Sequence, residues 1–296
     1  MNKPDAILTA DWHLRSDNPI CRTDDFIKAQ FKKVRFIKRL QNEHNCPVLC
    51  AGDIFNHWKP SPRLLSKTMK YMPGNMVCIA GNHDLPAHSL ERIDESGFNV
   101  LDEADYINYE PAALEFNFSL HVHHFGTEYI KPGEKWPGMR RVALIHEYVY
   151  KGRKPFPGQL TGVTALMKKL KGYDLIVVGD NHVPFVHRAE NQLVVNSGSL
   201  TRQTADQIKH RPRVYLWYAK TNTVKPVYIP IEKNVITRTH IKKDKERDSR
   251  IEAFITALET GCEIHLQFEK NIENVLRTLD NKAVKQKIVQ AMEGSK

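Results

Sequence analysis

The stretch Met76-Val77-Cys78-Ile79-Ala80-Gly81-Asn82-His83-Asp84 passes from an unbroken apolar run, through a glycine, to three side chains able to hold a metal or move a proton. An apolar run this short, closed by glycine, reads as a strand buried on both faces of a sheet. Four other stretches repeat the pattern. Residues 6–10 lead to Asp11-Trp12-His13, residues 48–51 to Gly52-Asp53, residues 142–145 to His146, and residues 175–178 to Gly179-Asp180-Asn181-His182. In open α/β sheets ligands collect beyond the carboxyl ends of the strands. Five strands delivering Asp, His and Asn to one edge therefore predict a single site.

Between the first two strands, residues 23–44 read as a helix. Thr23 is placed to cap it, Asp24 and Asp25 complement its positive end, and Ile27, Phe31, Val34, Ile37 and Leu40 form one apolar stripe under a basic exposed face. Ser61-Pro62 marks the start of a second helix ending near Met72, and residues 164–170 form another that stops at Gly172. This alternation predicts an α/β layered fold. After His182 the pattern turns to strands alone, at residues 193–196, 214–218 and 224–229, which implies a second sheet or an antiparallel extension of the first. Charge density places a linker at 232–248. It separates a catalytic domain at 1–231 from a small α/β or helical region at 249–296, expected to cap the domain or bind a partner.

Composition sets outer limits. A chain of 296 residues with 41% hydrophobic side chains can bury one large core plus an appendage, which excludes a disordered chain and a mini-protein. No run of 18 apolar residues and no signal peptide are readable, so the expectation is a cytoplasmic protein with no membrane span. Five cysteines form no CxxC pair, and Cys50 and Cys78 lie inside apolar runs, which argues for reduced thiols and against a disulfide framework. The net charge of +10 favours a polyanionic partner. Residues 232–296 carry 13 basic against 11 acidic side chains, so the excess belongs to the larger part. Lysine-rich helices that are merely solvated are the competing account of any single charge run.

The strand-end residues match a two-ion site in type. Hard divalent ions such as manganese or magnesium take carboxylate, amide and water oxygens, and imidazole widens the choice to iron, nickel or zinc. Asp11 and His13 fall on the same side of an extended segment and can reach one ion together. Asp53, a lone carboxylate after glycine, is placed to bridge two. Asn82 can give a carbonyl oxygen, which turns His83 elsewhere and frees it for proton chemistry. The cluster His121, His123 and His124 has no paired carboxylate beside it and is read as structural or surface histidine.

The order D-x-H, GD, GNHD, a lone histidine after a strand, and G-x-x-H resembles the calcineurin-like metallophosphoesterases over residues 5–230. The run Gly52-Asp53-Ile54-Phe55-Asn56-His57-Trp58-Lys59-Pro60-Ser61 is similar to the G-D-[IL]-F-x-x-x-K-P-S stretch of their SbcD-type DNA repair nuclease branch, and Asn196-Ser197-Gly198-Ser199 to that branch's PGS element. The resemblance implies a four-layer α-β-β-α sandwich. It assigns Asp11, His13 and His182 to a first ion, Asn82, His146 and Asp180 to a second, and Asp53 to both, with His83 catalytic and two divalent ions per chain, manganese before magnesium. It also implies a DNA substrate, an SbcC-type SMC-like ATPase partner, and a homodimer. Arg15 and Arg202, close in sequence to the strand-end residues, are candidate phosphate contacts. Two departures stand out: Asp180 occupies a position where the family carries a ligating histidine, and Asn56 one where some nuclease members have histidine. The alternatives are a phosphatase or phosphodiesterase for a small molecule and a non-catalytic DNA- or ATPase-binding scaffold. The joint presence of Asp11, His13, Asp53, Asn82, His83, His146 and His182 argues against a decayed site.

Overall fold

In a computed structural model, residues 3–241 are described apart from 112–115, 134–135 and 159, together with isolated helical positions 249, 251, 252, 255, 277 and 286. The chain divides into two units, Met1–Thr237 and Arg238–Lys296. The first unit extends to Thr237, within the linker expected at 232–248, and Thr23 N–H donates to Val235 O and Thr237 N–H to Cys21 O. Most of 242–296, and with it most of the expected capping or partner-binding region, lies outside the described residues.

The first unit holds two five-stranded sheets. One runs β12-β11-β1-β2-β3, with β1 (Ala6–Thr9), β2 (Val48–Cys50) and β3 (Met76–Cys78) parallel, and with β11 (Arg213–Tyr218) and β12 (Thr223–Tyr228) added antiparallel. The other runs β4-β5-β8-β10-β9. In it β4 (Ser119–His123), β5 (Arg141–His146), β8 (Leu175–Gly179) and β10 (Gln192–Asn196) are parallel, and β9 (Phe185–Ala189) is antiparallel to β10. Both expectations for the late strands are thus met, one in each sheet. A short parallel pair, β6 (Val149–Tyr150) and β7 (Thr161–Gly162), lies apart.

Successive residues of a strand face opposite ways, and here they divide between three cores. Leu8, Leu49 and Val77 meet Leu120, Leu144, Val177 and Val195 between the sheets. Ile7, Val48, Cys50 and Cys78 face outward onto Phe31, Val34, Ile37 and Leu40 of α1 (Phe26–His44), Leu64 of α2 (Pro62–Tyr71) and Phe98 of α3 (Gly97–Glu103). Ala143, Ile145, Ile176 and Val178 face Leu166 and Met167 of α4 (Val163–Lys169). The layers are helix, sheet, sheet, helix, as expected. Cys21, Cys46, Cys50 and Cys78 are buried free thiols, and among the described residues no helix is long and apolar enough to cross a membrane.

Local chemistry moves some boundaries. Helix α1 starts at Phe26 and is capped by Asp25, whose carboxylate accepts from Lys28 N–H, and not by Thr23. Asp24 is unavailable because the Arg22 guanidinium holds both its oxygens, at 2.8 and 2.7 Å. Ser61 caps α2 as expected, with proline in the first turn. Helix α3, capped by Ser96, carries no clear periodic signal in its sequence.

Candidate metal centre

The strand ends meet where the two sheets' carboxyl edges adjoin. Backbone hydrogen bonds lock the loops together: Asp11 N–H donates to Gly52 O, His13 N–H to Asp53 O, and Leu200 N–H to Asp11 O. Asp11, His13, Asp53 and Asp180 all have positive φ, between 45° and 71°. A left-handed backbone on a residue other than glycine costs free energy and persists only where the surroundings hold it. Two glycines make room for the ligands. Gly52, at φ +91°, has no side chain where a Cβ would strike His146 Nδ1, and a Cβ on Gly81 would collide with Asp53 Oδ1.

Metal-ligating atoms of Asp11, His13 and His182 lie within 4.8 Å of one another, and so do those of Asp11, Asp53 and His146, and those of His13, Asp53 and His83. His13 Nε2 and His182 Nε2 are 2.9 Å apart. Asp53 Oδ2 sits 3.4 Å from His13 Nε2 and 3.5 Å from His146 Nε2, between the two groups. Asn82 Oδ1 lies 3.0 Å from His146 Nε2. The orientation of His146 follows from its other nitrogen: Nδ1 donates to Ala51 O at 2.7 Å, which aims Nε2 at the site, where it holds a proton in the metal-free chain and would offer its lone pair to a metal. Asp180 enters differently. Its backbone N–H donates to Asp11 Oδ1 at 2.9 Å, and its side chain borders the cavity beside His146 without joining the three ligand groups.

A pair of cations suits these residues on their own evidence. Asp11 Oδ2 and Asp53 Oδ2 are buried without a hydrogen-bond partner among the described residues, an arrangement that is costly unless a positive charge sits beside them. Burial pushes the Asp11 carboxyl well up and the His13 imidazole down to about 3, and lowers His182. For His146 burial is outweighed by the negative charge of Asp53, whose Oδ2 lies 3.5 Å from Nε2, and the imidazole is lifted to about 10. Asp53 is held below the usual carboxylate range, the nearby His146 and His13 overcoming its burial. In the metal-free chain a proton on His146 does for Asp53 what a divalent cation does when bound. Burial also raises Asp180.

His83 stands exposed at the rim, its ring edge-on to His13 at 4.8 Å between centroids. Its N–H donates to Asp53 Oδ1, and its Nδ1 donates to the carbonyl of Asn56, so Nε2 is turned away from that anchor. The backbone of position 56, not its side chain, does the orienting. Arg15 lies on Asp17, with its Nε 2.9 Å from Oδ1. Arg202 is placed where a phosphate cannot reach it: it is 5% exposed, and its guanidinium donates to the carbonyls of Ile208 and Glu232. Beyond its long aliphatic stem, those carbonyls hold it as an internal brace. In the histidine cluster on and just past β4, His124 Nδ1 accepts from Ala80 N–H at 3.0 Å and His123 Nδ1 from Ile130 N–H at 3.4 Å.

Sequence reasoning assigns no role to Asp84. It is fully buried, its Oδ1 accepts from Phe55 N–H and its Oδ2 from Ile54 N–H and Gly81 N–H, and it thereby joins the Asp53 loop to the Asn82 loop. Burial and then the charge of Asp53 push it up to about 7. A carboxylate one position beyond a predicted catalytic histidine is the available signal.

The sequence matches the calcineurin-like phosphoesterase superfamily domain over residues 7–216. The chain belongs to that family of metal-dependent phosphoester hydrolases. None of the curated proteins matches it. Solved structures similar to it include an archaeal phosphodiesterase, at 13% identity and TM-score 0.41 over 76% of this chain and 99% of that one. A metallophosphoesterase from Sphaerobacter thermophilus matches at 13% identity and TM-score 0.38 over 77% and 89%. Phosphopantetheinyl hydrolase from Mycobacterium tuberculosis matches at 11% identity and TM-score 0.42 over 77% and 99%.

Proposed function

We propose that this phosphoester hydrolase is a DNA phosphodiesterase of the SbcD type, working with two divalent ions, manganese first. Asp11, His13 and His182 would hold one ion, Asn82, His146 and Asp180 the other, and Asp53 both. Bound there, such ions supply an activated water nucleophile and neutralise charge on the phosphoryl oxygens. The chain's own part is positional. Asp53 fixes the His83 backbone, Asn56 O fixes the His83 ring, and the exposed Nε2 is then free to give a proton to the leaving oxygen. An SMC-like ATPase partner docking on residues 249–296, and a homodimer, belong to the same proposal.

The observation that carries the polymeric substrate is the net charge of +10. Beside a centre whose carboxylates already offset much of the charge of two divalent ions, that excess favours a ligand with many phosphates. The test is cleavage of plasmid and linear duplex DNA with manganese, set against a mononucleotide and a small chromogenic diester. Turnover of the small substrates with no DNA cleavage would refute the nuclease reading. A second reading, hydrolysis of a small phosphodiester, is favoured by a cavity of about 720 Å³ that reaches His146 and Asp180 and is lined by Phe125, Tyr129 and Tyr148.

A further inference from the structure

The positive charge of this protein is concentrated. Helices α1 and α2 together span 29 residues and hold nine basic side chains against one acid, Glu43. They account for +8 of the chain's +10. Both helices pack on the outer face of the first sheet. Each follows a strand that ends at the metal centre, so their N-terminal ends, with positive dipole ends, lie toward that edge. Ser16 Oγ, three residues past the ligand His13, lies 2.8 Å from Ser61 Oγ, the cap of α2.

Between the helices opens a groove of about 530 Å³, lined by Arg15, Lys28, Arg35, Arg63 and Lys67 against the single carboxylate of Asp25. That carboxylate is already engaged in capping α1. Among the described residues, Lys28, Arg35, Arg63 and Lys67 form no ion pair, whereas Arg15 is held by Asp17. The Arg35 guanidinium rests 5.1 Å from the Tyr71 ring centroid and Lys67 Nζ 5.7 Å from that of Phe31, which limits their freedom before any ligand arrives. Clustered like charges repel one another, and a folded chain that keeps them without counter-charges is suited to a polyanion.

We propose that this groove carries the sugar-phosphate backbone of a nucleic-acid strand running to the metal centre. The proposal rests on the DNA reading above. Lys28 and Arg35 are seven residues apart on α1, roughly 10 Å along its axis, a span long enough to meet successive phosphates of one strand. A free phosphate would engage only one or two of these cations.

The experiment is binding of the full chain, kept metal-free with chelator, to a fluorescent duplex between 50 and 200 mM KCl. Removing one cation that neutralises a phosphate lowers the slope of log affinity against log salt by about 0.9. The variant Lys28→Ala/Arg63→Ala/Lys67→Ala is expected to lose about two to three units of slope and roughly a hundredfold in affinity at 100 mM salt. Hydrolysis of a small chromogenic diester, assayed with manganese, reports separately that the metal centre is assembled. The exposed Arg63→Ala alone, expected to lose about one unit of slope, serves if the triple variant folds poorly. A steep wild-type slope that the variants leave unchanged overturns the groove and spares the nuclease reading. A flat wild-type salt dependence overturns both. Phosphatidylglycerol vesicles that displace the duplex, with vesicle binding lost in the triple variant, would assign the groove to a membrane surface and overturn it too.

Discussion

Asp84→Asn tests whether one buried carboxylate holds the ligand loops in register. The wild-type oxygens take three backbone N–H groups, two on Oδ2 and one on Oδ1. An amide retains one oxygen. Set in the Oδ2 position it still serves Ile54 and Gly81, but its NH2 then faces the Phe55 N–H, and the opposite flip strands two donors. The smaller loss is one unsatisfied buried N–H, a cost of about 1–3 kcal/mol. Relief of the repulsion from Asp53 offsets part of it, so a net destabilisation of about 1–2 kcal/mol is expected in urea unfolding at pH 8 with chelator present. Metal binding should suffer as well, because Asp53 and Asn82 lose their common tie. Removing an outer partner of this kind costs about 10–100-fold in metal affinity, measurable by titrating manganese into the metal-free protein in a calorimeter. Wild-type unfolding midpoint together with wild-type affinity for both ions would refute the reasoning.

Four other outcomes are expected. His83→Ala should lower kcat by about 10²–10⁴ while elemental analysis still finds the wild-type metal content; loss of metal would make His83 a ligand. Asp53→Ala should empty both positions, and two ions retained per chain would end its bridging role. Asp180→Ala should release the second ion only, whereas wild-type metal content and rate would leave Asp180 as a turn residue acting through its N–H to Asp11. The proton on His146, raised to about 10, stabilises the metal-free fold fully below pH 6.5, and that contribution is lost as pH rises toward 10. Thermal melts of chelated protein should therefore decline through that window. Saturation with manganese, which takes the place of the proton, should remove the decline.

The positions of the ligands were legible because each follows a strand that an apolar run and a terminating residue announce. Asp11, Asp53, Asn82 and His146 needed only the rule that strand ends converge. Interactions across the fold were not legible. Thr23 looks like a cap until Arg22 is seen to occupy Asp24, leaving Asp25 to cap α1. Arg202 looks available to a phosphate until its guanidinium is found on two carbonyls. Asp84 is one residue from His83, but its partners Ile54 and Phe55 lie some thirty positions away, and no local pattern encodes that distance. Strand β4, Ser119-Leu120-His121-Val122-His123, carries no apolar run to announce it.

The pairing of β1 with β11 governs how this protein is made. Ala6 lies opposite Trp217, roughly 210 residues later. At ribosomal speeds of about 5–20 residues per second, the strand that precedes Asp11 and His13 waits on the order of 10–40 s for that neighbour to be synthesised. Through that interval one edge of β1 is unpaired, and the apolar surface that Trp217 later covers is open to other chains. Pairings of such long range are slow to form as well. Production of this protein should accordingly respond more to chaperone supply and to translation rate than its short local elements suggest.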